Sequence, residues 1–112
     1  MKLFIQSAAE NDILIQFEWY ATKGLFDIAR RFRAAVNEAV DAVIATPAAG
    51  APRHIDNPRL TGLRTWPVNG FDDFKVYYLA SSEFLTVVRI LHGRRDIEAI
   101  LETQDVEQPD QR

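Results

Sequence analysis

The sequence predicts an α+β fold, in which an N-terminal αα-hairpin packs on a small, mainly antiparallel sheet with a short C-terminal helix. Two observations lead to this prediction. The first half of the chain carries apolar residues at helical spacing over two long segments. The second half, from Leu63 to Leu101, carries short apolar runs separated by Asn69-Gly70 and by 80–83. Such runs between turn residues are typical of a three-strand meander.

Length and charge suggest one soluble domain. A chain of 112 residues can bury a modest core, and we expect a single domain over 1–101. Residues 102–112 contain four acidic residues and one basic residue, which account for the whole net charge of −3. We expect this acidic tail to fray. The remaining body is neutral, which argues against direct sequence-specific binding to nucleic acid by the chain alone.

The composition also bears on location and chemistry. There is no cysteine, which suits a reducing cytoplasm and excludes thiolate catalysis. Met1-Lys2 leads directly into a short apolar run, so we expect no signal peptide, and no apolar run is long enough to span a bilayer. The two histidines are not part of any ligand pattern, so we expect no metal and no cofactor.

The first elements are a strand over 2–6 and a helix over 8–22. Ser7 and Glu10 have the spacing of a capping box, and Gly24 should end the helix in the left-handed conformation. The helical wheel places five apolar residues on the inner face: Ile13, Leu14, Phe17, Tyr20 and Ala21.

The outer face of this helix carries Ile15 and Trp19 together with Asp12 and Glu18. Ile15 and Trp19 are four positions apart and therefore neighbours. Exposing both to water has no folding rationale, so we predict that a protein partner docks there. The alternative is that a loop over 48–62, or a second copy of the chain, covers them.

The second helix is predicted over 25–45, and Pro47 should end it. We expect an ion pair between Asp27 and Arg31 on its exposed face. The following segment, 48–62, is rich in proline and glycine and predicts a surface loop. The buried stripe of the helix consists of Leu25, Ile28, Ala29, Phe32, Val36, Ala39, Val40 and Val43.

Strands are predicted over 63–68, 74–79 and 84–91. Asn69-Gly70 predicts a two-residue type I′ turn between the first two. The last strand is apolar on both faces, which is typical of a central strand. If Val88 and Ile90 face the helices, Arg89 lies on the open face, either aimed at a phosphate or carboxylate or paired locally with Asp96.

Two motifs carry a resemblance to a known family. They are R-x-W-P-V-x-G-F over 64–71 and, after a Tyr-rich strand, V-R-I-L-H-G-R-R-D-I over 88–97. This pattern resembles the ParE branch of the bacterial RelE/ParE toxin superfamily. The resemblance implies the fold described above, and a toxin paired with a ParD-like antitoxin in a hetero-oligomer. Such an antitoxin has a ribbon-helix-helix head and a disordered tail that folds along the toxin. It also implies that the target is DNA gyrase.

Two alternatives remain open. RelE-type toxins cut mRNA on the ribosome with basic residues and a C-terminal Tyr, but no Tyr follows Tyr78 here. A ribonuclease would have to use Arg64, Arg89 and His92, although a His before a glycine also suits a hydrogen bond to the turn. The other alternative is a degenerate partner that binds the antitoxin and co-represses without toxicity.

The gyrase hypothesis assigns target contacts to Arg89, Arg94 and Arg95. Arg94 and Arg95 precede Asp96 at the start of a predicted short helix. Arginines oppose the dipole at a helix N-terminus, whereas Asp96 suits it. This unfavourable placement favours a binding role for the pair, and no catalytic residue is expected in a gyrase inhibitor.

Overall fold

The computed structural model describes residues 1–109. A short 3₁₀ turn at Pro58–Leu60 lies between the second and third strands. The elements, in chain order, are β1 (Lys2–Ile5), α1 (Ser7–Thr22), α2 (Phe26–Ala45), β2 (Ala51–Pro52), β3 (Arg64–Pro67), β4 (Phe74–Ala80), β5 (Phe84–His92) and α3 (Ile97–Glu102).

Within residues 1–109 the strands form one five-stranded sheet in the order β1-β5-β4-β3-β2. Strand β1 runs parallel to β5, and the other neighbours are antiparallel. The α+β fold, the meander and the central position of β5 are therefore confirmed. The outermost strand, β2, had not been predicted, because two residues around a proline give no periodic signal.

The αα-hairpin covers one face of the sheet. Side chains alternate along β4, so Val76 and Tyr78 contact the helices while Tyr77 and Leu79 lie on the opposite face. Helix α2 contributes most of the buried stripe, centred on Phe32 and Val36. Leu25, which precedes α2, remains partly exposed because the helix begins one residue later than predicted.

The opposite face is covered by α3 and the segment after β2. Ile55, Leu60 and Leu63 are buried there against Ile97 and Leu101. The segment over 48–62 is mostly irregular and exposed, as predicted, but it also buries Ile55 and Leu60 against this face of the sheet. A central strand that is apolar on both faces needs a second cover, and this segment supplies it.

A bulge in β5 changes which residues share a face. Tyr77 pairs with Arg89 and Tyr78 with Val87, which leaves Val88 without an opposite residue. Val87 and Ile90 pack on the helix side, whereas Val88 packs on the other side. The condition that Val88 and Ile90 both face the helices is therefore not met, since the inserted residue interrupts strict alternation.

The turn at Asn69-Gly70 is not type I′. Gly70 has φ +83°, but no residue other than glycine within 1–109 has a positive φ. The Phe71 N–H donates to the Val68 carbonyl at 2.9 Å, as in a type II turn with Gly70 in its third position. A second turn closes when the Phe74 N–H donates to the Phe71 carbonyl at 2.8 Å. The connection between β3 and β4 is therefore longer than predicted.

Helix α1 begins without the predicted capping box. Gln6 is the N-cap residue, and no side chain of the first turn caps the helix. The Ser7 N–H and hydroxyl donate instead to the two carboxylate oxygens of Glu107, at 2.7 and 3.1 Å. Hydrogen bonds thus join the C-terminal segment to the body of the domain at 104–107. The rest of the tail, Asp110 to Arg112, lies outside the described residues.

Three smaller predictions have mixed outcomes. Gly24 ends α1 with φ +75°, as predicted. Asp27 pairs with Arg30, one position closer than the predicted partner Arg31. Leu14 is exposed rather than part of the inner face.

Candidate partner and target surfaces

Helix α1 presents an apolar outer surface. Ile15 is 57% exposed and Trp19 is 51% exposed. The loop over 48–62 does not cover them, because it lies on the other face of the sheet. The Lys23 ammonium lies 4.6 Å from the centroid of the Trp19 ring, and the Tyr20 ring meets it edge-on at 5.3 Å. These contacts fix the indole at the surface. We call Ile15, Glu18 and Trp19 the outer surface of α1.

A groove between α1 and α2 lies on the same hairpin. Its volume is about 320 Å³. Ile13, Leu14 and Phe17 give it apolar walls, and Arg33 and Asn37 of α2 give it a polar rim. An apolar groove with a polar rim suits the apolar face of an amphipathic segment.

Asp12 does not lie on the exposed outer face as predicted. Its carboxylate accepts two hydrogen bonds from the Arg89 guanidinium, both at 2.7 Å, and a third from the Ile90 N–H at 2.9 Å. The Asp12 side chain is 7% exposed and that of Arg89 is 15% exposed. This bidentate, largely buried pair attaches α1 to β5.

Arg89 therefore has a structural role. Besides Asp12, it donates to the Gln104 side-chain oxygen at 2.9 Å. Its predicted local partner, Asp96, instead caps α3 by accepting from the Ala99 N–H at 3.2 Å. The sequence could not reveal the Asp12 pairing, because the two residues are 77 positions apart.

The other ribonuclease candidates also have separate structural partners. Arg64 donates to the Gly50 carbonyl at 2.7 Å. His92 accepts the Arg94 N–H on Nδ1 at 3.0 Å, and its ring meets Phe74 edge-on at 4.9 Å. Among residues 1–109, no hydrogen bond links Arg64, Arg89 and His92 to one another or to a shared side chain.

Arg94 and Arg95 lie in the turn between β5 and α3 and are both exposed. Helix α3 begins after them, at Ile97, so they do not occupy the first helical turn. Within the described range neither side chain forms an ion pair. They are therefore available for contact with a target.

Sequence reasoning missed a buried glutamine. Gln6 is 1% exposed and lies where β1 ends. Its side-chain nitrogen donates to the Val88 carbonyl at 2.9 Å and to the Asp105 carbonyl at 3.3 Å, and its oxygen accepts from the Glu107 N–H at 3.1 Å. One side chain thus joins the N-terminus, β5 and the C-terminal segment. Only its position directly after an apolar strand could have drawn attention to it.

Two further kinds of feature are absent from the described part of the chain. Residues 1–109 contain no group of three or more metal-binding side chains. No helix in that range combines the length and apolar content required to cross a membrane.

Comparisons with known proteins identify the family. Residues 3–97 match the family model described as the ParE toxin of the type II toxin–antitoxin system, parDE. No curated protein matches the sequence. A similar solved structure is described as the chromosomal ParDE toxin–antitoxin system from P. aeruginosa. It has 18% identity and a TM-score of 0.66, covers 82% of this chain and 95% of that chain, and confirms the fold. The chain thus belongs to the ParE toxin family of type II toxin–antitoxin systems, which implies an antitoxin partner.

Proposed function

We propose that this protein poisons bacterial DNA gyrase in the cytoplasm and that a ParD-like, ribbon-helix-helix antitoxin neutralises it. The proposal rests on which basic side chains of the protein are bonded within the fold and which are exposed. Arg64, Arg89 and His92, the residues that a ribonuclease would need, all bind elements of the fold itself. Arg94 and Arg95 are exposed and unpaired among the described residues, so they suit contact with a separate target.

This distribution argues against mRNA cleavage on chemical grounds. In-line attack by a 2′-OH needs a base, an acid and charge stabilisation at one phosphate. Arg89 already neutralises Asp12, and His92 receives a backbone N–H on one ring nitrogen. A protein that acts by binding gyrase needs no such constellation, because exposed cations and apolar side chains suffice.

For the antitoxin, we propose that an amphipathic segment docks on the outer surface of α1 and along the adjoining groove. Ile15 and Trp19 supply apolar anchors, and tryptophan is enriched among interface hot spots. Glu18 and Glu10 are exposed beside them and would suit basic residues on the partner. Asp12 has no free carboxylate oxygen to offer and acts there only by fixing α1 to β5.

The first prediction is that the purified protein inhibits supercoiling by gyrase and increases cleaved DNA–gyrase complexes. The double variant Arg94→Glu/Arg95→Glu should lose this inhibition, because it reverses both exposed charges. It should bind the antitoxin within about tenfold of the wild type, ~1.4 kcal/mol. Supercoiling assays and calorimetry with the antitoxin measure the two effects.

The matched control is Arg30→Glu/Arg31→Glu on the exposed face of α2, which should retain gyrase inhibition. The same samples should be tested for mRNA cleavage on ribosomes. Ribosome-dependent cleavage that Arg89→Ala or His92→Ala abolishes would refute the proposal in favour of a ribonuclease. Inactivity in both assays, with no growth defect on expression, would favour a non-toxic co-repressor.

A further inference from the structure

An open pocket lies on the face of the sheet opposite the αα-hairpin, beside the turn that precedes α3. Its volume is about 350 Å³. Arg53, which follows β2, Lys75 and Tyr77 of β4, and Arg95 of the turn line it together with Gly93, Asp96, Ile97 and Glu98. Three different parts of the chain therefore contribute one cation each to a single concave site.

Tyr77 is the distinctive group in this pocket. Its residue is only 4% exposed, yet its hydroxyl has no hydrogen-bond partner among residues 1–109. Every fully buried side-chain polar atom in that range does have a partner, so the Tyr77 hydroxyl must be reached from the pocket. Burial raises the pKa of Tyr77, against an opposing effect of the Arg53 charge. At neutral pH the hydroxyl is therefore protonated and can donate a hydrogen bond to a group in the pocket.

The contrast with Tyr78 shows what a satisfied hydroxyl looks like in this fold. The Tyr78 hydroxyl donates to the Pro47 carbonyl at 2.8 Å and accepts the Gly50 N–H at 3.0 Å. A Cβ at Gly50 would lie 2.8 Å from carbons of that ring, so only glycine fits. The Tyr77 hydroxyl has no such partner in the described chain and opens to the pocket, where it can donate to a bound ligand.

The charges around the hydroxyl specify the ligand's sign. Lys75 and Arg95 are exposed and form no ion pair within 1–109. Arg53 is 3.7 Å from Glu98, a long contact to a carboxylate that is 70% exposed. Asp96 is occupied in capping α3. The three cations outnumber the two carboxylates of the pocket, Asp96 and Glu98, and together with the phenolic donor they favour an anion with several acceptor oxygens.

We propose that this pocket binds a phosphate group, carried by a nucleotide or by a nucleic-acid backbone. The Tyr77 hydroxyl donates to one phosphate oxygen, and Arg53, Lys75 and Arg95 neutralise the charge. Glu98 competes with the ligand for Arg53. The site makes no base contact, so it discriminates by charge and not by sequence. This inference is independent of whether gyrase is the target.

The test is calorimetric titration of the purified protein with inorganic phosphate, adenosine monophosphate and a short single-stranded DNA. Tyr77→Phe removes only the hydroxyl and should weaken binding about fivefold or more, because a hydrogen bond to a charged group is lost. Lys75→Gln and Arg95→Gln should weaken it as well. Glu98→Gln should tighten it, since it frees Arg53. Arg31→Gln on α2 is the matched surface control and should bind as the wild type does.

The outcomes separate the sources of the phosphate. Tighter binding of the nucleotide than of DNA identifies a nucleotide site. Tighter binding of DNA, weakening steeply with salt, identifies a backbone site. Absence of binding by all three probes at millimolar concentration, or binding that Tyr77→Phe and Glu98→Gln leave unchanged, overturns the proposal. Thermal melting of each variant shows that the fold is intact. Gyrase inhibition without phosphate binding would refute this site and leave the proposed function standing.

Discussion

At the scale of single residues, the Asp12 carboxylate accepts a backbone hydrogen bond that a longer β1 would have accepted. Strand β1 pairs with β5 only as far as Val87. The Ile90 N–H lies beyond that point and donates to the Asp12 carboxylate, while the Gln6 side-chain amide donates to the Val88 carbonyl. Two side chains thus satisfy backbone groups that a longer β1 would have paired. The Arg89 guanidinium then neutralises the charge that this arrangement buries.

Removing the Asp12 carboxylate should therefore be costly. We predict that Asp12→Ala lowers the free energy of unfolding by ~3 kcal/mol, because it leaves Arg89 and the Ile90 N–H without their acceptor. Urea denaturation measures the change. Asp27→Ala is the matched control, since its ion pair with Arg30 is exposed and should contribute less than ~1 kcal/mol.

A double variant shows whether the cost comes from losing the ion pair or from leaving Arg89 buried and unpaired. Asp12→Ala/Arg89→Met removes both partners and should be more stable than Asp12→Ala alone, because no unpaired cation stays buried. If Asp12→Ala unfolds at the same urea concentration as the wild type, the pair does not hold α1 on β5.

Most residue roles of this kind could not be predicted from the sequence. His92 was weighed correctly as a hydrogen-bond acceptor for its turn, because both groups are local. For Arg89 the sequence left open a phosphate, a carboxylate or local pairing with Asp96, and it did not indicate Asp12; the role of Gln6 was not predicted. Apart from Gln104, which is 15 positions from Arg89, their partners lie 77 to 101 positions away, and only the assembled sheet brings them within reach.

At the scale of elements, α1 serves two different environments at once. Its inner side carries Ala9, Ile13 and Tyr20 into the core beneath α2. Its outer side exposes Ile15 and Trp19. The core is complete without these two residues, so the helix can present them to a partner without loss of folding stability.

We predict that Trp19→Ala weakens binding of the antitoxin by ~2 kcal/mol or more, since a large apolar anchor is removed from the interface. Because the indole is half exposed in the free protein, unfolding by urea should change little. Leu3→Ala, a comparably exposed apolar residue on β1, is the control and should leave antitoxin affinity unchanged. A loss of several kcal/mol in stability with unaltered affinity would place Trp19 in the core and the docking site elsewhere.

Element boundaries were predictable where periodicity is local and sustained. Helices α1 and α2 begin within one residue of their predicted positions and end where predicted, at Thr22 and Ala45. The bulge at Val88 and the turn at Asn69-Gly70 were not predictable. The bulge depends on how β4 and β5 align and the turn on how β3 and β4 align, which apolar spacing alone does not specify.

At the scale of the whole molecule, the C-terminal segment closes the fold. Asp105 and Glu107 bond to Gln6 and Ser7, and Arg59 forms an ion pair with Asp105 at 3.1 Å. Asn57, which is buried, donates to the Leu101 and Gln104 carbonyls at 2.8 and 3.0 Å. The prediction of a frayed tail rested on acidic composition, and composition indicates only how soluble a segment is. It does not show which backbone groups the segment satisfies.

We predict that truncation after Thr103 lowers the free energy of unfolding by ~3 kcal/mol. The buried Gln6 oxygen loses the Glu107 N–H as its donor, and the Arg89 guanidinium loses the Gln104 oxygen as an acceptor. Glu107→Ala in the full chain should cost less, about 0.5–1 kcal/mol, since its bonds to Ser7 are exposed. Equal stability of the truncated and full chains in urea would show that the segment contributes nothing.

The pairing of β1 with β5 also constrains how the protein is made. Strand β1 is synthesised long before β5, which is its one neighbouring strand among residues 1–109 and lies 82 positions further along the chain. A hydrogen bond at the end of β1 comes from the later residue Glu107. Contacts of such long sequence separation form late in folding. The nascent chain therefore cannot complete its sheet until β5 and the segment up to Glu107 have been synthesised. Until then the apolar face of α2 has no finished sheet beneath it, and the growing polypeptide depends on its αα-hairpin alone.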